Sequence, residues 1–272
     1  MTALGRALIL RERWGERPEF DSGVGLNMLM FNVDLDNTLI YSYKHEINGG
    51  KKCVERYQGR EVSFMSDRTQ ELLLNVSKRV LLVPTTTRTV EQYERIDLGV
   101  GEISHALVCN GGVLLLNGAE DEAWYEESLE RIRDSRRELE KAERALDEDE
   151  NRCLEVRNIR ELFLFTKSEK PLESVSRLRL ALDGNVLDVF CSGVKVYVMP
   201  KALTKGNAVM RLKEKLGAER VIAAGDSVFD VSMLQCAEVG IAPAGLAVEG
   251  AAGKIVKVET DRLFSETMLE YL

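Results

Sequence analysis

Histidine is nearly absent from this chain. His45 and His105 are the only two in 272 residues, which leaves oxygen atoms rather than imidazoles to hold any metal ion. Cysteine is sparse and scattered: Cys53, Cys109, Cys153, Cys191 and Cys236 are odd in number and form no metal-spaced pair. Reduced thiols in a cytoplasm are therefore expected. No apolar run approaches the roughly 18 to 20 residues that span a bilayer. The stretch Ala7-Leu-Ile-Leu10, soon followed by Arg11, Glu12 and Arg13, is too short for a signal-peptide core, so no membrane partner is expected. Positive charge is in deficit, 37 Lys and Arg against 45 Asp and Glu, for a net charge of -8. That balance argues against a nucleic-acid-binding surface, which is usually basic. Repeats and low-complexity segments are lacking as well. What remains, 44% hydrophobic and 30% charged, is an ordinary globular composition, long enough for one large or two ordinary domains.

One stretch organises the rest: Leu29-Met-Phe-Asn-Val-Asp34-Leu-Asp36-Asn-Thr38-Leu-Ile40. An apolar run delivers two carboxylates, two positions apart, into a polar turn. Residues two apart on a strand project to the same side, so Asp34 and Asp36 can converge at the carboxyl end of a buried strand, where open α/β sheets bind ligands. Two crowded carboxylates repel unless a cation lies between them or one holds a proton. An Asp-Asn turn closing the strand is the plainer alternative. Residues 1–27 lack clear periodicity and read as a loose extension without assigned function.

Further along, Lys51 to Tyr57 and Glu61 to Met65 flank Gln58-Gly59-Arg60, a hairpin pattern. With Lys44, Lys51, Lys52, Arg56 and Arg60 it is locally basic, either a solvated hairpin or a flap that attracts anions. A helix capped by Asp67 is expected to run to about Lys78, followed by a strand over Val80 to Val83. Thr89 with Gln92 has the spacing of a capping box, and Ala106 to Cys109 reads as a third buried strand. This alternation predicts a doubly wound parallel sheet. From about Glu120 to Glu150 a single amphipathic helix is expected, with Leu129, Ile132, Leu139, Ala142 and Leu146 on its apolar face. A strand over Leu162 to Phe165, a helix over Leu172 to Leu182 and strands over Val186 to Phe190 and Lys195 to Met199 complete an α+β insertion at 119–199. Residues 28–118 and 200–272 would form the Rossmann-like core. Its second half carries a helix from Lys205 to Leu216, a strand over Val221 to Ala224, another over Val239 to Ala242, and a terminal strand and helix.

Three more signals fall at the ends of core elements. Thr86, after the second strand, can donate a hydroxyl to a phosphoryl oxygen or serve as a turn residue, with Thr85 a lesser substitute. Lys205 opens a helix, where the dipole disfavours a cation. It fits that place better if it faces carboxylates and a phosphate, though a solvated lysine is also open. Gly225-Asp226-Ser227 permits a tight turn after a buried strand, and Asp230 lies one turn later on the same face; helix capping is the alternative. Each signal is weak alone, and the order and spacing of the four are far more specific.

Together they resemble the haloacid dehalogenase superfamily of phosphohydrolases, in particular its class IIB (Cof-like) branch, which includes sucrose-phosphate and mannosyl-glycerate-phosphate phosphatases. Asp34-Leu35-Asp36-Asn37-Thr38 matches the first motif, Thr86-Thr87-Arg88 the second, Lys205-Gly206-Asn207-Ala208 the third, and Gly225-Asp226-Ser227-Val228-Phe229-Asp230 the fourth. Asn110-Gly111 matches the Asn-Gly that follows the third strand. Phe229 departs from the usual Asn, and the insertion of about 80 residues is shorter than many caps of the branch. The resemblance, over about residues 28 to 265, implies a phosphatase for a small phosphorylated metabolite such as a sugar phosphate. Asp34 would be the nucleophile, Asp36 the acid and base, and Thr86 and Lys205 the stabilisers of phosphoryl charge. Mg²⁺ would be held by Asp34, the Asp36 main-chain carbonyl and Asp226. Thr38 would orient Asp36, Ser227 and Asp230 would support the metal site, and Arg88, Asn110 and Gly111 would contact substrate. Transfer of the phosphoryl group to a hydroxyl, as in the mutases of the branch, is the rival activity. Silent relatives used as binding modules typically lose the nucleophile, the acid/base or the lysine, and all three are present. Lys195 and Tyr197 face either the cleft or solvent.

Overall fold

The first strand, β1 (Leu29–Val33), shows how the core is built. Met30 points to one side and Phe31 and Val33 to the other, and all three are fully buried. In this computed structural model the described residues are 28–259 and 261–272; the extension expected over 1–27 lies outside them. Strands β2 (Tyr41–Ser42), β3 (Lys51–Tyr57) and β4 (Arg60–Ser66) form an antiparallel sheet in the order β2-β4-β3. The expected hairpin turns through Gln58 and Gly59, both at positive φ (50° and 76°), a two-residue turn that suits strand twist. Helix α1 (Asp67–Ser77) follows. Its cap is Ser66, whose side chain accepts from the Thr69 amide, one residue earlier than the expected Asp67.

Next come β5 (Leu81–Pro84) and α2 (Val90–Tyr93), the latter opened by the Thr89/Gln92 capping box. Strand β6 (His105–Val108) pairs antiparallel with β7 (Val113–Leu116), a strand not expected from the sequence, and β7 pairs with the short β8 (Ala119–Glu120). The segment expected as one helix is two, α3 (Glu122–Arg131) and α4 (Arg136–Asp147), separated by a 3-10 turn at Arg133–Ser135. Packing explains the break. Trp124 of α3 is buried among core residues, whereas Leu139, Ala142 and Leu146 of α4 are buried against the inserted sheet. One straight helix cannot serve both surfaces.

That sheet comprises β9 (Arg157–Ile159), β10 (Phe163–Lys167), β11 (Leu187–Ser192) and β12 (Lys195–Pro200), in the antiparallel order β11-β12-β10-β9. Helix α5 (Pro171–Ala181) joins α4 on one face, against Leu164, Val189, Val196 and Val198. The other face turns toward the core, with Ile159, Phe163 and Met199 packed among Ala106, Val108 and Val113. This is the inserted α+β cap.

The chain then returns to the core through α6 (Lys205–Leu216), β13 (Arg220–Ala224), α7 (Val231–Cys236), β14 (Val239–Pro243), β15 (Lys254–Val258) and α8 (Phe264–Leu269). The core sheet runs β15-β14-β13-β1-β5 and is parallel throughout. Helices α1 and α8 cover the Phe31 face, and α6 and α7 cover the Met30 face. The sheet is doubly wound, as expected. Burying each large side chain in these layers stabilises by about 1.5–3 kcal/mol. Strand order reverses between β1 and β13, so their carboxyl ends flank the point where such sheets bind ligands. Among the described residues, no helix is long and apolar enough to cross a membrane.

Candidate active site

Strand β1 leads into Asp34 and β13 leads through Gly225 into Asp226, so the parallel pairing of these neighbours sets two carboxylates near each other. The Asp34 amide donates to the Ala224 carbonyl at 3.0 Å, which extends the ladder to the last residue before the site. Gly225 then lets the chain pass close to Asp230, since a Cβ at that position would lie 2.3 Å from the Asp230 Cβ. Asp230 ties the loop together: its Oδ2 accepts from the Asp226 amide (3.1 Å), the Ser227 amide (2.9 Å) and the Ser227 hydroxyl (2.9 Å).

Lys205 enters from the first turn of α6. Thr204 caps that helix by accepting from the Asn207 amide, and Gly206 permits its close approach to Ser232, where a Cβ would come 2.4 Å from the carbonyl oxygen. The ammonium is 1% exposed and bridges Asp34 Oδ1 (2.5 Å) and Asp230 Oδ1 (2.6 Å). Burial alone would discharge this lysine, but the flanking charges of Asp230 and Asp34 outweigh it and raise its pKa. It is a fixed cation, not a solvated surface lysine.

Carboxylate oxygens of Asp34, Asp226 and Asp230 lie within 4.8 Å of one another. Three acids against one ammonium leave surplus negative charge in a buried place. Burial pushes Asp34 well above the ordinary carboxylate range, and the charges of Asp230 and Asp36 add to that against the pull of Lys205. Burial, followed by the charge of Asp230, pushes Asp226 up to about 6. Such a cluster suits a hard divalent cation, which prefers oxygen ligands. Asp230 is already committed to four donors, so Asp34 and Asp226 have the oxygen atoms to offer. The Thr38 hydroxyl donates to Asp226 Oδ1 at 3.1 Å. The Thr38 side chain thus bonds Asp226 and not the Asp36 expected from the sequence.

Asp36 faces a different neighbourhood. Its carboxylate receives both arms of Arg88, Nε and a terminal nitrogen each at 2.8 Å, the bidentate fit that guanidinium offers. Burial alone would raise Asp36, but Arg88 more than compensates and holds it below the ordinary range. Arg88 also meets Glu55 of the hairpin at 3.0 Å, and Glu55, 2% exposed, takes Arg95 (3.0 Å) and the Ser63 hydroxyl (2.6 Å) as well. Neither Glu55 nor Arg95 was apparent from sequence, since a charged residue on a short strand carries no signal of a partner about 40 positions away. In this arrangement Arg88 clamps the second aspartate.

The two threonines separate clearly. Thr85 spends its hydroxyl on the Val83 carbonyl and accepts from Asn32. Thr86, 1% exposed, only accepts, from the Arg88 amide, so its proton is available to a ligand. Asn110 donates to the Leu203 carbonyl at 2.8 Å, where the cap returns to the core. Gly111, at φ 87°, leaves room for Ala208 of α6 and accepts from the Trp124 indole. Both residues hold the β6–β7 loop against the start of α6, and the Asn110 main-chain amide also donates to the Thr86 carbonyl at 2.9 Å; among the described residues no hydrogen bond joins either to Asp34, Asp36 or Asp226. Phe229, the departure in the fourth motif, packs edge-on against Phe190 (4.8 Å) and Tyr197 (5.0 Å) of the cap.

Three carboxylates that could hold a metal ion thus lie at the switch point of a doubly wound sheet that carries an inserted α+β cap. The model of the haloacid dehalogenase-like hydrolases matches residues 31–245, and the chain belongs to that family. Its fold resembles the sucrose-phosphatase of Synechocystis sp. PCC6803, solved with sucrose and phosphate, at 17% identity and TM-score 0.58 over 90% of this chain and 96% of that one. A phosphatase of the haloalkanoate superfamily from Bacteroides thetaiotaomicron aligns at 15% identity and TM-score 0.55, covering 92% and 99%. A trehalose-6-phosphate phosphatase related protein aligns at 14% identity and TM-score 0.51, covering 89% and 96%. No curated protein sequence matches at a significant level.

Proposed function

We propose that the protein is a Mg²⁺-dependent phosphatase that hydrolyses a small phosphorylated metabolite, a sugar phosphate above all, through an aspartyl-phosphate on Asp34. The observation that carries this reading is the buried cluster of Asp34, Asp226 and Asp230 around Lys205, with its surplus negative charge at the switch point. The sucrose-phosphatase solved with sucrose and phosphate, and the neighbour related to trehalose-6-phosphate phosphatase, agree with it. The five free cysteines agree with a reducing cytoplasm.

Asp34 attacks phosphorus with one carboxylate oxygen while Lys205 holds the other, which keeps the nucleophile aimed and opposes the upward push of burial on its pKa. The Thr86 hydroxyl and the Lys205 ammonium stabilise charge on the transferring group. Asp36 gives a proton to the leaving alcohol and later takes one from the attacking water, regenerating Asp34. Because Arg88 favours the ionised form of Asp36, the guanidinium has to shift from Asp36 as substrate enters, and the substrate phosphate is a suitable new partner. Mg²⁺ bound by Asp34, Asp226 and the Asp36 main-chain carbonyl would supply charge neutralisation for the phosphoryl oxygens. The cap excludes water from this exchange.

The test is phosphate release from a generic aryl phosphate, with Mg²⁺ and with chelator, for wild type and Asp34→Asn. Metal-dependent release that falls by at least about 10³-fold in the variant is expected. Release that survives Asp34→Asn would overturn the assignment of the nucleophile.

A further inference from the structure

The core-facing side of the cap sheet is graded in a way the phosphatase reading does not use. Directly paired residues on antiparallel strands share a face, as do residues two apart. Arg157, Phe165, Tyr197 and Phe190 therefore form one row across the four strands, and Lys167 with Lys195 forms the next. The aromatic row is seated over the fourth-motif loop by the contacts of Tyr197 and Phe190 with Phe229, next in sequence to Asp230. The lysine row lies one step farther out along the same face.

Like charges placed directly opposite on a sheet destabilise it. Lys167 and Lys195 are such a pair, and neither has a carboxylate partner within ion-pairing distance among the described residues. Glu155, two residues before β9, is bound to Arg157 at 3.0 Å. Lys195, at the solvent-exposed start of β12, also has a depressed pKa, through partial desolvation first and then Lys167, Arg88 and Arg157, against the attraction of Asp36. Its surroundings are thus rich in positive charge and lie within electrostatic reach of the second aspartate.

We infer that the Lys195–Lys167 pair is a specificity site for a second anionic group on the substrate, a carboxylate or another phosphate, held on the cap while the scissile phosphate sits at Asp34. The inference rests on the phosphatase reading above. It narrows the substrate class to small metabolites that carry two anionic ends, supplied by reactions that phosphorylate a sugar acid or a sugar phosphate.

The experiment compares substrates matched in size: 6-phosphogluconate with glucose 6-phosphate for the carboxylate, and fructose 1,6-bisphosphate with fructose 6-phosphate for the second phosphate. The readout is the ratio of kcat/KM within each pair, for wild type, Lys195→Gln, Lys195→Arg and Lys167→Gln. Wild type is expected to favour the doubly anionic member of at least one pair by about tenfold or more, the worth of one charge-assisted contact. Lys195→Gln should erase most of that ratio through KM, Lys195→Arg should retain it, and Lys167→Gln should reduce it. The pair that shows the preference tells carboxylate from phosphate. A wild-type ratio near one in both pairs, or a ratio unchanged in Lys195→Gln, overturns the inference and leaves the phosphatase reading standing. If no member of either pair is hydrolysed, calorimetric titration of the same compounds into the wild-type protein reads the preference directly. Tighter binding of the doubly anionic member, lost in Lys195→Gln, would then uphold the anion contact on the cap, while release from the aryl phosphate decides the phosphatase reading. Equal or absent binding overturns the inference.

Discussion

Two ionic clusters lie on either side of the β1 loop, and they are built on opposite principles. Near Lys205 lie three carboxylates, of which Asp34 and Asp230 pair with its ammonium, all deeply buried apart from the partly accessible Asp226. Around Arg88 two carboxylates, Asp36 and Glu55, face two guanidiniums, Arg88 and Arg95. The second cluster is balanced and holds Asp36 ionised. The first gathers more acids than cations, which is costly in a low-dielectric setting and would become favourable with the divalent cation proposed for it. Charge imbalance, more than the number of acids, separates a prospective metal centre from a structural network.

The harshest way to break this contrast is Lys205→Met, which leaves Asp34 and Asp230 buried without their cation. A loss of about 3–5 kcal/mol in unfolding free energy is expected, read by chemical denaturation, along with loss of phosphate release. Adding the missing charge sharpens it instead. Mg²⁺ at about 100 times its dissociation constant should stabilise wild type by about 2.7 kcal/mol, and Asp226→Asn should abolish most of that gain in a thermal shift assay. An equal shift in the variant would place the ion elsewhere.

Arg88→Gln unbalances the second cluster and should cost about 1–3 kcal/mol at pH 7, since buried Glu55 loses one of its donors. Its pH dependence has a definite sign. Asp36 is held below its ordinary value in the folded state, so its contribution is present above about pH 4 and fades as pH falls through the folded value. The gap between wild type and variant, measured by urea unfolding, should therefore narrow below pH 4; because Asp36 is half exposed, its own share is small. The mildest change is Phe229→Ala. Losing two edge-on aromatic contacts should cost about 1–2 kcal/mol and raise amide exchange in β11 and β12, where the cap meets the fourth-motif loop. Unchanged exchange there would show that the cap is seated by other contacts.

Elements with local punctuation were legible residue by residue. Helix α6 begins at Lys205 after its Thr204 cap and ends at left-handed Gly217, because capping chemistry lies within a few residues of each end. The hairpin over β3 and β4 was legible for the same reason. The segment over Glu120 to Glu150 was not, since its periodicity continues through the 3-10 turn and only two separate packing surfaces divide it. Thr38 shows the same limit inside the site. Its place in the first motif was clear, but its partner, Asp226, is 188 positions away.

The amino-acid sequence by itself determined the alternation of strands and helices, and with it the parallel sheet that gathers Asp34, Thr86 and Asp226 at one edge. Local pattern suffices there because strand direction and crossover handedness leave few alternatives. Tertiary structure alone decided which charges are shared: Lys205 with Asp34 and Asp230, Arg88 with Asp36 and Glu55, Lys167 beside Lys195. Ionic partners are chosen by burial and distance in space, and neither quantity is written in the spacing of residues along a chain.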